Sequence, residues 1–260
     1  YEIRLSLVGS EMCIRDREEI REDYLNYNFH FAFQKIHNFC ANDLGGFYLD
    51  ILKDRLYTAK SDSDARRACQ VVLSDILQAL LRWVSPILSF TAEEAWQTLN
   101  EDTESVHLLE WFDDWTDIGE ISFSDKEWEK ILEIRSEVNK HIEEARNQNI
   151  VGSSLEAELE LFCDSDLKLL LDRFSDELRF IFITSDAKVS LLGNAGTDTG
   201  IDGMKISVSK TTHKKCVRCW HSRPDVGTIK GHESICGRCY ENVFGKGEIT
   251  TGAGGDFQQV

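Results

Sequence analysis

Cys216-Val217-Arg218-Cys219-Trp220-His221 and Cys236-Gly237-Arg238-Cys239-Tyr240-Glu241 are two copies of one short pattern, Cys-x-Arg-Cys-aromatic, separated by sixteen residues. Two residues between cysteines let a tight turn aim both sulfurs at one point. Two such knuckles complete the tetrahedron that a zinc ion accepts. Cys216, Cys219, Cys236 and Cys239 are therefore read as the ligands of one structural Zn²⁺, since four thiolates leave no position open for water. Disulfide pairing or a redox Cys-x-x-Cys is the weaker reading, because redox chemistry needs only one such pair. Gly227, Gly231 and Gly237 are placed where a small metal-centred module reverses its chain.

Outward from this module, charge changes sharply. The chain of 260 residues carries a net charge of −17. Yet residues 205–246 hold nine basic and three acidic side chains, a net of +6, which leaves −23 for the remainder. A basic metal module on an acidic body points to an anionic partner for the module alone. The other cysteines, Cys13, Cys40, Cys69 and Cys163, are scattered in apolar or helical surroundings. They read as reduced thiols, which suits the cytoplasm. No run of eighteen apolar residues exists, so no membrane span or membrane partner is expected.

Toward the N-terminus the pattern is helical, and the predicted fold class is mainly α. An antiparallel helical bundle is followed by a small α/β unit and a C-terminal zinc-ribbon-like module. Residues 1–17 show no sustained period, resemble a translated adapter sequence, and are set aside as non-native. Tyr24, Tyr27, Phe31, Ile36 and Phe39 give an apolar stripe through Asp23 to Ala41. Gly45-Gly46 marks a break or a close contact. Ser61-Asp62-Ser63 caps a helix from about Asp64 to Trp83, whose buried side is read as Ala68, Val71, Val72, Ile76, Ala79 and Leu80. Pro86 interrupts it. Thr91-x-x-Glu94 reads as a capping box for a short helix through Leu99. Trp111, Phe112, Trp115 and Trp128 read as packing anchors.

Ser124-x-x-Glu127 is a second capping box, opening a helix to about Asn149 with Ile131, Ile134, Val138, Ile142 and Ala145 buried. Leu155 to Cys163 alternates as a half-buried strand. Asp166 to Leu178 reads as a helix and Arg179 to Thr184 as a buried strand. Gly193 to Gly203 reads as a linker, and Lys205 to Lys210 as a strand leading into the zinc module. The expected divisions are a helical domain over 18–115, an α/β subdomain over 116–190, a linker over 191–204, the zinc module over 205–247 and a disordered tail over 248–260. No phosphate-binding glycine loop and no nucleophile–base arrangement appears.

Several stretches together resemble the C-terminal third of the bacterial isoleucyl-tRNA synthetase family, of class I. They are Tyr27-Asn28-Phe29-His30 with Gln34 to Cys40, Gly46 to Arg55, Arg82 to Ala92, Glu137 to Lys140 with Glu144 to Arg146, Gly152 to Ala157, and the two cysteine knuckles. Their order and spacing carry the resemblance, which covers about Glu18 to the end. It implies an anticodon-binding helical domain over Asp23 to Leu99, a junction unit, and a zinc module that contacts tRNA. It further implies a parent ligase that attaches isoleucine to its tRNA using ATP and Mg²⁺ and hydrolyses misacylated valine, because one methylene discriminates weakly. The ATP-binding signatures and the editing domain are missing from this stretch, so the chain by itself is expected to bind without catalysing. The implied partners are the anticodon stem-loop of isoleucine tRNA and the upstream catalytic and editing domains, and the implied state is a monomer. The other class of function left open is a zinc-ribbon interaction module on a helical scaffold, without an RNA role.

For RNA contact the candidates are Arg218, Arg238, Trp220, Lys214 and Lys215 in the zinc module. On the bundle they are Lys53, Arg55, Lys60, Arg66 and Arg67. Arginine and lysine pair with phosphate or base edges, and an exposed aromatic ring can stack on an unpaired base. For Trp220 the reading stays open between base stacking and packing over the zinc site as an apolar plug.

Overall fold

The computed structural model describes residues 16–100, 104–115, 124–174 and 177–247. Residues 1–15, with Cys13, and the tail 248–260 lie outside the described residues. The chain divides into two compact units, Tyr1–Ile121 and Ser122–Val260.

The first unit is built on helices. Residues 16–25 form α1, which begins two residues before the expected start. Arg17 in it pairs with Asp113 at 2.9 Å. Tyr27 then sits at φ 60°, so the helical register restarts and α2 runs Phe29–Asn38. That restart corrects the expected stripe: Tyr27 and Phe31 are exposed, while Ala32, Ile36 and Phe39 are buried. Gly45-Gly46 does not break the chain. A π-helical stretch, Phe39–Tyr48, carries α2 straight into α3, Leu49–Thr58, and the Leu49 N–H donates to the Leu44 carbonyl. A Cβ on Gly45 would lie 2.9 Å from the Cys40 carbonyl oxygen, so the wider winding requires glycine there.

Ser63 caps α4, Asp64–Val84, by accepting from the Arg66 N–H, as its sequence predicts. The buried residues are Ala65, Cys69, Val72, Ile76, Ala79, Leu81 and Trp83; of the predicted face Val72, Ile76 and Ala79 are buried, while Ala68 and Leu80 are half-buried and Val71 is exposed. Trp83 is fully buried, with its ring 5.8 Å from Phe39 and stacked at 6.3 Å on Trp111. Arg82 lies over the rings of Trp96 and Phe112 at 5.0 and 5.2 Å. These aromatics are packing anchors. The next helix, α5, runs Ser89–Leu99 with Leu88 at its N-cap and no side-chain cap. The capping box read at Thr91 is thus displaced: Thr91 lies inside the first turn, because the helix already starts at Ser89.

The second unit opens with α6, Asp125–Asn147, capped by the reciprocal Ser124–Glu127 box. Ile131, Ile134, Val138, Ile142 and Ala145 are all buried, as the 3.6-residue period predicts. Strand β1, Ala157–Cys163, is central. The chain crosses over through α7, Ser165–Asp172, and α8, Leu178–Ile181, to the parallel strand β2, Asp186–Leu191. Residues 179–184 are therefore not the strand their apolar run suggests. They form a buried helical turn, and a short apolar run does not distinguish the two by period.

The segment 191–204, read as a linker, contains β3, Thr197–Asp198, paired with β4, Met204–Lys210. In turn β4 pairs antiparallel with β1, setting Leu161 opposite Ile206 and Leu159 opposite Val208. Lys205–Lys210 thus belongs to the α/β sheet, whose order is β2-β1-β4-β3. Among the described residues, no helix is long and apolar enough to cross a membrane.

Candidate metal centre

Directly after β4 the chain forms a hairpin of β5, Lys214–Lys215, and β6, Ser222–Arg223. Its tip is the first knuckle. The Cys216 N–H donates to the His221 carbonyl at 2.9 Å, and the Trp220 N–H to the Cys216 carbonyl at 3.0 Å. Gly227 and Gly231, both at positive φ, turn the chain back. The second knuckle opens α9, Gly237–Phe244, with Cys236 at the N-cap position and Cys239 one turn on. A helix N-terminus favours negative charge, which suits two thiolates.

The four sulfurs lie within 4.8 Å of one another, and all four cysteines are buried. Cys219 and Cys236 sulfurs are 3.8 Å apart. A tetrahedron with Zn–S bonds of about 2.3 Å has edges of about 3.8 Å, so the donor set fits zinc in chemistry and in size. The Cys236 N–H donates to the Cys216 sulfur at 3.3 Å, and the Arg218 guanidinium to the Cys239 sulfur at 3.8 Å. Hydrogen bonds from the Cys219 and Cys239 thiols depress the Cys236 pKa. The contact with Cys236, aided by the one with Cys239 and by burial, pushes Cys219 far up. Crowded thiolates repel, so a dication at their centre is what lets all four ionise together.

Two supports were not legible in the sequence. Asp225 Oδ2 accepts from the Gly237 N–H at 2.7 Å. It supplies the cap that Cys236 cannot give, since the Cys236 sulfur faces the metal position. Gly237 is not a turn residue with positive φ; it is needed because a Cβ there would meet Asp225 Oδ2 at 2.7 Å. Val226 and Ile235 form the apolar plug beside the sulfurs. A helix opening on a cysteine without a capping hydroxyl is the one sequence signal that could have pointed to an outside cap.

Trp220 does not fill that plug position. It is 60% exposed and held at φ 67°, with the Lys215 ammonium 5.6 Å from its ring centroid. Lys214 and Lys215 are exposed. The two arginines are not equivalent, despite their matched places: Arg218 faces the Cys239 sulfur, while Arg238 lies 5.0 Å over the Phe180 ring. On the helical unit, Arg55 is 1% exposed, which removes it as a phosphate contact; a charged residue in an i, i+4 helical pattern gives no sign that its side chain turns inward. Lys53 pairs with Asp50 at 2.6 Å and Lys60 with Asp62 at 3.5 Å, and Arg67 donates to the Gln70 side chain at 3.0 Å. Arg66 is half-buried.

Residues 15–161 match the family described as the anticodon-binding domain of tRNA ligase. The chain belongs to that family. The match runs through the whole helical unit and α6 into β1. Residues 214–242, from β5 into α9, match a second family, described as a zinc finger found in FPG and IleRS. The chain is 45% identical over 240 residues to an isoleucine–tRNA ligase of Alkalilimnicola ehrlichii, covering 89% of this chain and 26% of that protein. It is 48% identical over 238 residues to the isoleucine–tRNA ligase of a Shewanella species, covering 90% and 25%. To that of Azotobacter vinelandii it is 47% identical over 238 residues, again covering 90% and 25%. The chain thus spans about a quarter of the length of the curated relatives it matches.

Proposed function

We propose that this chain is the tRNA-binding region of an isoleucine–tRNA ligase, and that it holds the anticodon stem-loop of isoleucine tRNA through the face of its zinc module. The parent enzyme joins isoleucine to that tRNA at the cost of ATP, with Mg²⁺, in the cytoplasm. ATP chemistry and editing belong to domains outside this sequence, and the chain alone is a monomer that binds without catalysing. The domains proposed are the helical one over 18–115 and the zinc module ending at 247.

The observation that carries the reading is Trp220, a large indole held out at positive φ beside the Lys215 ammonium. A strained backbone that presents an exposed aromatic ring is characteristic of a binding position. An anticodon loop offers unstacked bases to such a ring and phosphates to Lys214 and Lys215. Arg218 serves the Cys239 thiolate first; a carboxylate in its place would disturb the metal as well as any RNA contact. The informative variants are therefore Trp220→Ala and Lys214→Glu with Lys215→Glu. Trp220→Ala removes about 1–3 kcal/mol of stacking, a loss of roughly 5- to 150-fold in affinity for isoleucine tRNA. The double reversal lowers the salt dependence by about one unit per lost phosphate contact. Both retain zinc. Wild-type affinity and slope in all variants would leave a zinc-ribbon interaction module without an RNA role.

A further inference from the structure

Beside the zinc hairpin, at the free edge of the sheet, lies a cleft of about 260 Å³. One wall is β2, which among the described residues pairs only with β1 and leaves its outer backbone edge open. The other wall is the hairpin, through His213 and Arg223. Arg179 closes one side, its guanidinium 4.6 Å over the Phe180 ring. Lys188 stands at the rim with its side chain 70% exposed. Two carboxylates share the cleft: Glu158 lies 3.9 Å from His213, and Asp186 lies 3.4 Å from Lys188. Even so, three fixed cations, Arg179, Lys188 and Arg223, face two anions on a chain whose net charge is −17.

The floor is rigid. Ser185 is fully buried, its hydroxyl donates to the Leu155 carbonyl at 2.5 Å, and it accepts from the Ser222 N–H at 2.7 Å. The sheet edge and the hairpin are thereby tied to each other through one buried hydroxyl. Such preorganisation is what a binding site needs.

We infer that this cleft receives one unstacked nucleotide of the bound RNA loop, at a second contact distinct from Trp220. This rests on the RNA reading proposed above. The chemistry matches a nucleotide in each part. Flat guanidinium and imidazole groups offer faces to a base. The Lys188 ammonium and the arginines neutralise phosphate. The two carboxylates supply acceptors for base N–H groups.

The test is fluorescence anisotropy of labelled isoleucine tRNA with the full chain across a salt series. Ala187→Trp places a large ring at a residue that lines the cleft, without changing charge; affinity falls tenfold or more while the salt slope and zinc content stay as in wild type. Lys188→Glu, at an exposed position that does not touch the fold's core, weakens binding and lowers the slope by about one. If Ala187→Trp does not fold, Lys188→Glu decides alone. Wild-type affinity in the folded cleft variants, with Trp220→Ala still weakened, overturns the cleft and leaves the RNA reading standing. Failure of the wild-type chain to bind tRNA overturns both.

Discussion

Replacing Ser185 by alanine removes one oxygen and strands two partners. The hydroxyl joins the Ser222 N–H of the zinc hairpin to the body of the second unit, and it also satisfies the Leu155 carbonyl. Ser222 is 5% exposed, so its N–H is largely shielded from bulk water. A buried group left unpaired costs about 1–3 kcal/mol. The Leu155 carbonyl is only half-buried and water recovers part of its loss. The expected destabilisation is therefore about 2–3 kcal/mol. With a urea slope of about 2 kcal/mol/M for a unit of this size, the transition midpoint falls by about 1–1.5 M. Trp128 and Trp220 report the second unit by fluorescence, since the other four tryptophans lie before residue 116. Ser190→Ala is the control: its hydroxyl donates to the Glu160 carboxylate at 2.9 Å in a partly solvated place, and its loss costs within about 0.5 kcal/mol. A midpoint for Ser185→Ala no lower than that of Ser190→Ala would refute the view that this hydroxyl fastens the hairpin.

Ser124→Ala breaks the capping box of α6 and costs about 1 kcal/mol in the same urea assay, whereas Thr91→Ala, inside the first turn of α5, changes stability by less than about 0.5 kcal/mol; equal losses would return the cap to Thr91. Acid weakens the fold. The Glu127 carboxylate is held below the ordinary range by hydrogen bonds from the Ser124 N–H and hydroxyl and then by Arg173, Glu137 by the Gly200 N–H, and Glu93 by the Ser105 hydroxyl. A depressed folded pKa stabilises above the unfolded value of about 4.3, and that stabilisation is lost as pH falls through the folded values. The urea midpoint should drop below about pH 4, less steeply in Glu127→Gln; a midpoint that rises on acidification would contradict this.

The parts legible in the sequence are those governed by local spacing. Two Cys-x-x-Cys pairs, the Ser63 and Ser124 caps and the stripe of α6 are set within a few residues of chain, and the structure keeps them. What was not legible depends on distant partners. The pairing of β4 with β1 joins residues about fifty apart in the chain, so Lys205–Lys210 looked like part of the zinc module. The run through Gly45-Gly46 is helical because a π-turn brings the Cys40 carbonyl close enough to require glycine, and glycine in a sequence reads first as a break. Residues 178–181 are as apolar as a strand and differ from one only in their neighbours. In the site, the four clustered cysteines were legible but Asp225 was not, since its bond to the Gly237 N–H spans twelve residues. The inward turn of Arg55 and the diversion of Arg218 to a thiolate were hidden for the same reason.

The most direct measurement is zinc content and tRNA affinity, taken on the same preparations of wild type, Cys219→Ser and Cys163→Ser. Cys219 belongs to the four-cysteine cluster proposed to hold zinc; Cys163 is a buried thiol of β1 whose pKa is pushed up to about 11, chiefly by burial. The expected result is about one zinc per chain in wild type and Cys163→Ser, with tRNA bound by both, and loss of metal and of tRNA binding together in Cys219→Ser. Equal zinc in the two variants, or undiminished tRNA binding by a zinc-free Cys219→Ser chain, would contradict an RNA-holding surface built on a four-thiolate zinc centre.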